Sequence, residues 1–128
     1  VVENLYGLKI FDVSHNELSV LPPKVLKISL EALNISYNPI IRLPKTIDQL
    51  DQLAILSVGH CGLKQFPITI CNIINLRTLI ACNNSITHLP ESFGNLENLE
   101  TLDLSGNSIQ ELPSSFGNLT SLDWLNLR

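Results

Sequence analysis

The sequence predicts an α/β repeat solenoid: a curved array with a parallel β-sheet on its concave face and short helical or 3₁₀ turns on its convex face. Three observations carry that expectation. Segments of the chain align without gaps at a period of 23 residues. Leucine and isoleucine fill 24 and 14 of the 128 positions, while aromatic residues make up only 5%. Each aligned segment opens on alternating apolar and variable positions and later passes through a leucine–proline or phenylalanine–proline step. A core made of so many similar aliphatic side chains suits a packing unit that recurs.

The copies can be followed back from the C-terminus. From Leu99 the chain reads LETLDLSGNSIQELPSSFGNL, and from Leu76 it reads LRTLIACNNSITHLPESFGNL. Leu53 opens LAILSVGHCGLKQFPITICNI and Leu30 opens LEALNISYNPIIRLPKTIDQL. The first complete unit, LKIFDVSHNELSVLPPKV from Leu8, is one residue shorter, the loss falling between Pro22 and Leu30. A sixth unit begins at Leu122 as LDWLNLR. The opening residues match the end of a unit, with Val2 where Phe93 falls and Leu5 where Leu96 falls. The expectation is one domain over residues 1–128, of about five and a half repeats, cut from a longer array.

Each recurring position has a physical task. The LxL alternation has period two, so it predicts a short strand with its leucines inward. Strands of successive units should pair in parallel at about 4.8 Å spacing. Asn16, Asn38, Asn84 and Asn107 stand where the chain turns out of the strand, with Cys61 in the same column. A side-chain amide there can satisfy backbone groups that the turn leaves unpaired inside the core. A thiol satisfies fewer, so the Cys61 rung should be softer. Pro22, Pro44, Pro67, Pro90 and Pro113 then end regular pairing and start the return segment. Val25, Ile47, Ile70, Phe93 and Phe116 should plug the convex side, and Gly94 and Gly117 beside the two phenylalanines disfavour a long helix.

The shared pattern, LxxLxLxxNxLxxLP followed by a looser xxFGNLxxL, resembles the leucine-rich repeat family over nearly the whole chain. Within it, the 23-residue period and the LP step resemble the Ras-suppressor and Scribble type. The GxIP segment usual in plant receptor ectodomains is absent. The family tolerates cysteine in the asparagine column. The resemblance implies a protein-interaction scaffold in the cytoplasm that is not itself an enzyme. The alternative it implies is the regulatory repeat region of a larger intracellular signalling enzyme, such as a cyclase, phosphatase or kinase. A receptor or adhesion ectodomain is a third reading, against which the unpaired cysteines and the LP-type repeat count. Pathogen effectors use such repeats too.

Composition removes several other classes. The net charge of −4 argues against a nucleic-acid or anionic-membrane surface, and no apolar run reaches the ~18 residues of a membrane span. Three cysteines without CxxC spacing suggest buried thiols in a reducing compartment rather than disulfides or zinc. His15 and His60 share a column two repeats apart, too far to bind one metal, with Tyr37 between them as an aromatic ridge. Asp12, Ser14 and His15 are triad residue types without a pocket or oxyanion donor, and Asp12 and Asp103 are too far apart to act as a carboxylate pair. No phosphate-binding glycine motif occurs. The three N-glycosylation sequons are about what chance gives for this composition. No catalytic residue, cofactor or metal is therefore expected.

With the leucines inward, the variable positions face the concave surface. The first outward row is Ile10, Ala32, Ile55, Thr78, Thr101 and Trp124. The second is Asp12, Asn34, Ser57, Ile80, Asp103 and Asn126, and the third is Ser14, Ser36, Gly59, Cys82, Ser105 and Arg128. Apolar and aromatic groups on a polar sheet suit protein binding. The expected partner contacts are Ile10, Asp12, Tyr37, Ile55, His60, Ile80, Asp103 and Trp124. Replacing Tyr37 and His60 together with alanine is expected to weaken capture without lowering thermal stability. Glu91, Glu97, Glu100, Asp103 and Glu111, with no lysine or arginine among them, form an acidic C-terminal flank.

Overall fold

The computed structural model describes residues 7–128, so the alignment of Val2 and Leu5 lies outside the described residues. The LxL segments form six three-residue strands: β1 Ile10–Asp12, β2 Ala32–Asn34, β3 Ile55–Ser57, β4 Thr78–Ile80, β5 Thr101–Asp103 and β6 Trp124–Asn126. They pair in parallel, in sequence order, as one six-stranded sheet. The register puts Phe11 against Leu33, then Leu56, Leu79, Leu102 and Leu125. Leu33, Leu56, Leu79 and Leu102 are buried and Phe11 is half-buried. Leu125 in the last strand is exposed, against expectation, because among the described residues no further repeat covers it. A slip of one residue would turn the buried members to solvent, so burial fixes the register.

The return segments are 3₁₀ turns at Pro23–Lys27, Lys45–Gln49, Ile68–Asn72, Phe93–Asn95 and Ser114–Asn118. All five share one bond to the preceding proline. The carbonyls of Pro22, Pro44, Pro67, Pro90 and Pro113 accept from the amides of Val25, Ile47, Ile70, Phe93 and Phe116. Proline lacks a donor and has a fixed φ, so it suits a position that needs only an acceptor. Those third residues are the predicted plugs. Val25, Ile47, Ile70 and Phe93 are fully buried, and Phe116 stacks on Phe93 at a centroid distance of 6.3 Å.

The shortened first repeat keeps the sheet in register because its turn absorbs the missing residue. The Leu53, Leu76, Leu99 and Leu122 amides reach back three residues, to Leu50, Ile73, Leu96 and Leu119. Leu30 instead donates to Ile28, two residues back, at 2.8 Å.

The asparagine column forms as expected. Asn84 Nδ2 donates to the carbonyls of Val58, Ala81 and Cys82, and its Oδ1 accepts from the amides of Cys61 and Leu63, at 2.9–3.3 Å. Asn38 Nδ2 donates to Val13, Ile35 and Ser36, and its Oδ1 accepts from Leu18. Asn107 repeats the set with Ala81, Leu104, Ser105 and Ile86. At Cys61 the thiol reaches the carbonyls of Ile35 and Gly59 at 3.3 and 3.5 Å, and no side-chain oxygen is present to accept. The amide that would use that acceptor is Ile40, the counterpart of Leu18, Leu63 and Ile86. It bonds instead to the carbonyl of Asn38, two residues back, and Ile41 beside it takes a φ of +53°. The soft rung thus has a visible consequence in its neighbour.

Two substitution pairs test this packing. Asn84→Ala leaves two buried amides without an acceptor and is expected to cost about 2–5 kcal/mol. Cys61→Ala loses only weak thiol bonds and packing, about 1 kcal/mol. A Cβ on Gly94 would overlap the Ser115 carbonyl of the next repeat, whereas one on Gly117 would meet nothing within 4 Å. Gly94→Ala is therefore expected to cost about 1–3 kcal/mol by overpacking, and Gly117→Ala close to nothing. Urea denaturation of the four variants gives both rankings, and a reversed order in either pair contradicts them.

Candidate functional site

The first two outward rows lie where the pattern placed them, whereas Ser36 and Gly59 of the third row are buried. Ile10, Ala32, Ile55, Thr78, Thr101 and Trp124 pair strand to strand, as do Asp12, Asn34, Ser57, Ile80, Asp103 and Asn126. Of the expected contacts, Ile10 (67%), Asp12, Tyr37, Ile55 (44%), His60 and Trp124 are exposed, while Ile80 and Asp103 are half-buried.

The second row is organised by local bonds. Asp12 Oδ1 accepts from the Ser14 hydroxyl at 2.7 Å and the Ser14 amide at 2.9 Å. Asp103 does the same with Ser105 at 2.6 and 3.0 Å. Asn34 and Asn126 accept from the amides two residues on. The Ser14 hydroxyl and amide hold the Asp12 carboxyl below its ordinary value. A depressed carboxylate stabilises the fold above that ordinary value, and the benefit is lost as acid titrates it in the folded state. Ser14 is committed to Asp12 and His15 points elsewhere, so the three do not form a relay.

His15, Tyr37, His60 and Asn83 all adopt positive φ, between +55° and +60°, and Gly106 continues the column at +70°. Their amides bond to the next repeat, from His15 to Ser36, Tyr37 to Gly59, His60 to Cys82 and Asn83 to Ser105. The pairing thus continues beyond the strands, and the left-handed turn lifts each side chain outward. His15 stacks on Tyr37 at 4.1 Å and 12°, and Tyr37 stacks on His60 at 4.2 Å and 10°. His60 Nε2 lies 3.1 Å from Asn83 Nδ2, extending the ridge by one more repeat. The Tyr37 ring fills the space between the imidazoles, which therefore share no ion. Below the ridge lies a shallow recess of about 220 Å³, floored by Asn34, Ser36, Ser57, Gly59, Ile80 and Cys82.

Two sequence expectations change. Tyr37 and His60 support one another, so replacing both is expected to cost about 1 kcal/mol of stability as well as surface. Arg77 reaches Glu100 of the next repeat at 3.3 Å, so the acidic flank is partly neutralised from outside. The recess was missed because the rows give which residues face outward and not their depth, and Ser36 and Cys82 of the third row lie on its floor. The left-handed column had a signal in the sequence, since Asn83 and Gly106 are the residue types that tolerate positive φ.

Comparison with known proteins agrees with this geometry. A family profile described as leucine rich repeat matches residues 6–63, and one described as leucine-rich repeat region matches residues 63–128. The chain belongs to the leucine-rich repeat family, whose fold is generally a protein–protein interaction module and whose members are typically non-enzymatic. No curated protein matches the chain. Among solved structures it is similar to a leucine-rich repeat protein of Leptospira interrogans, with 29% identity, a TM-score of 0.81, and coverage of 99% of this chain and 38% of that one. It is similar to the leucine-rich repeat domain of the type III effector XopL, with 30% identity, a TM-score of 0.78, and coverage of 88% and 41%. It is also similar to the plant peptide hormone receptor RGFR1 in complex with RGF2, with 30% identity, a TM-score of 0.83, and coverage of 98% and 21%. The chain thus spans less than half the length of each. Among the described residues no helix is long and apolar enough to cross a membrane.

The thiols provide a direct check of the face. Cys61 and Cys71 are buried, and burial pushes both thiols up from their ordinary value. Cys82 is half-buried in the recess. Iodoacetamide is expected to label Cys82 of the native chain first. Equal labelling of all three cysteines contradicts this placement.

Proposed function

We propose that the chain is a recognition module that binds a protein partner on its concave face. The observation that carries the reading is the stacked ridge His15–Tyr37–His60 standing over the polar recess. Flat rings offer apolar area, and the serine, asparagine and backbone groups below offer hydrogen bonds, the mixture that anchors protein partners. Because packing and backbone bonds already hold the side chains, binding loses little conformational entropy. Ile10, Asp12, Tyr37, Ile55, His60, Ile80, Asp103 and Trp124 are the proposed contacts, and His15 and Cys82 join them. A similar receptor is in complex with RGF2, which supports a polypeptide ligand. The reading includes an intracellular scaffold or signalling role, supported by three free cysteines and the LP-type repeat. It treats residues 1–128 as one domain, as the expected array requires.

The test uses proteins retained by the immobilised chain, each then measured alone. Tyr37→Ala with His60→Ala is expected to weaken a true ligand about tenfold or more, and the bound ligand is expected to shield Cys82 from iodoacetamide. Ile74→Ser, at an exposed convex position, should leave binding unchanged. Ligands that bind the double variant as well as the parent, with Cys82 still reactive, contradict the proposal.

A further inference from the structure

The concave face is not the only organised surface. After each asparagine-column residue the chain runs along one lateral edge before reaching its proline. On the edge of the first two complete repeats Val20 and Ile41 stand in solvent, and Ile68 does so just past the proline of the third, each more than half exposed. Between them lie Arg42, Lys45 and Lys64. Ile41, Arg42 and Lys45 form one wall, and Lys64 with Pro67 the other, of a groove of about 610 Å³ whose lining holds no carboxylate. The ion pairs Lys9–Glu31 and Arg77–Glu100 use other cations. Three of the chain's eight basic residues thus converge on one groove of a chain whose net charge is −4.

Ile41 gives a second, independent indication. A β-branched residue at a φ of +53° is strained, yet its side chain is 56% exposed. The turn lies beside the Cys61 rung and holds an aliphatic group in the lining of the groove, next to the cations. Its Cγ2 faces Gly62 across the groove, where a Cβ would stand 3.6 Å away.

We propose that this edge is a second docking surface, and that its occupant is an acidic segment of a protein partner carrying aliphatic side chains. Carboxylates would pair with Arg42, Lys45 and Lys64, while aliphatic groups would cover Ile41 and its neighbours. A groove between two neighbouring turns suits a single extended chain, whereas a flat bilayer would meet the net negative charge of the remainder.

The test is selection of a random peptide library on the immobilised chain. The expected winners combine Asp or Glu with Leu, Ile or Val. A synthesised winner should lose affinity about tenfold or more with Arg42→Glu and Lys64→Glu together, weaken steeply with salt, and keep its affinity in Tyr37→Ala. Ile41→Gly relieves the strain, so it should keep or raise the melting temperature while weakening the peptide. Neutral or basic winners, affinity indifferent to charge reversal, or loss in Tyr37→Ala overturns the proposal. So does co-sedimentation of the chain with phosphatidylserine vesicles that charge reversal abolishes, or self-association with the same dependence.

Discussion

Each unit turns out of the sheet inside its own core, and the structure depends on how that turn is satisfied. The turn leaves carbonyls and amides facing inward where water cannot reach them, and an unpaired buried group costs about 1–3 kcal/mol. The asparagine amide meets both kinds at once, because it carries two donors and an acceptor on one planar group. Asn84 bonds to its own turn, to the carbonyl of Val58 in the preceding repeat, and to the amides of Cys61 and Leu63. One side chain therefore closes a turn and joins two repeats. The aliphatic layers fill the space between repeats, but they could pack in several registers, and the amide selects one.

The same turn creates the surface. The residue before each column position is His15, Tyr37, His60, Asn83 or Gly106, and all five adopt positive φ. For residues other than glycine this backbone costs roughly 1–2 kcal/mol. It is held because the residue's amide bonds to the next repeat and the following side chain anchors the core. The geometry that buries the amide thereby aims its neighbour outward at the repeat spacing, which is close enough for rings to stack. Core and recognition face are two sides of one turn. At Cys61, where the acceptor is missing, the Ile40 amide bonds to Asn38 instead and Ile41 beside it adopts positive φ.

Much of this was legible in the sequence. The period located every strand, the alternation assigned leucines to the core, and the proline and plug columns named the convex packing. These features repeat, so each copy supports the others. What was not legible depends on single positions. The repeat columns placed Tyr37 between the two histidines as a ridge, but the left-handed turn that lifts the rings outward is not expressed by a strand pattern. The Asp12–Ser14 and Asp103–Ser105 bonds are local, and the sequence offered no reason to prefer them to solvation. The Arg77–Glu100 pair joins residues 23 positions apart that matter only once the repeats are stacked. The lateral groove draws its walls from two repeats and its charge from residues that alternate with apolar ones along the edge.

The most direct test of the link between buried amide and displayed ridge is the proton spectrum of the histidine rings. Stacked on Tyr37, the His15 and His60 ring protons are expected to resonate upfield of their random-coil positions. Asn38→Ala removes the anchor beside Tyr37, and under conditions where the variant stays folded by circular dichroism both upfield shifts should shrink together. Random-coil shifts in the parent chain, or shifts that Asn38→Ala leaves unchanged, would contradict the account.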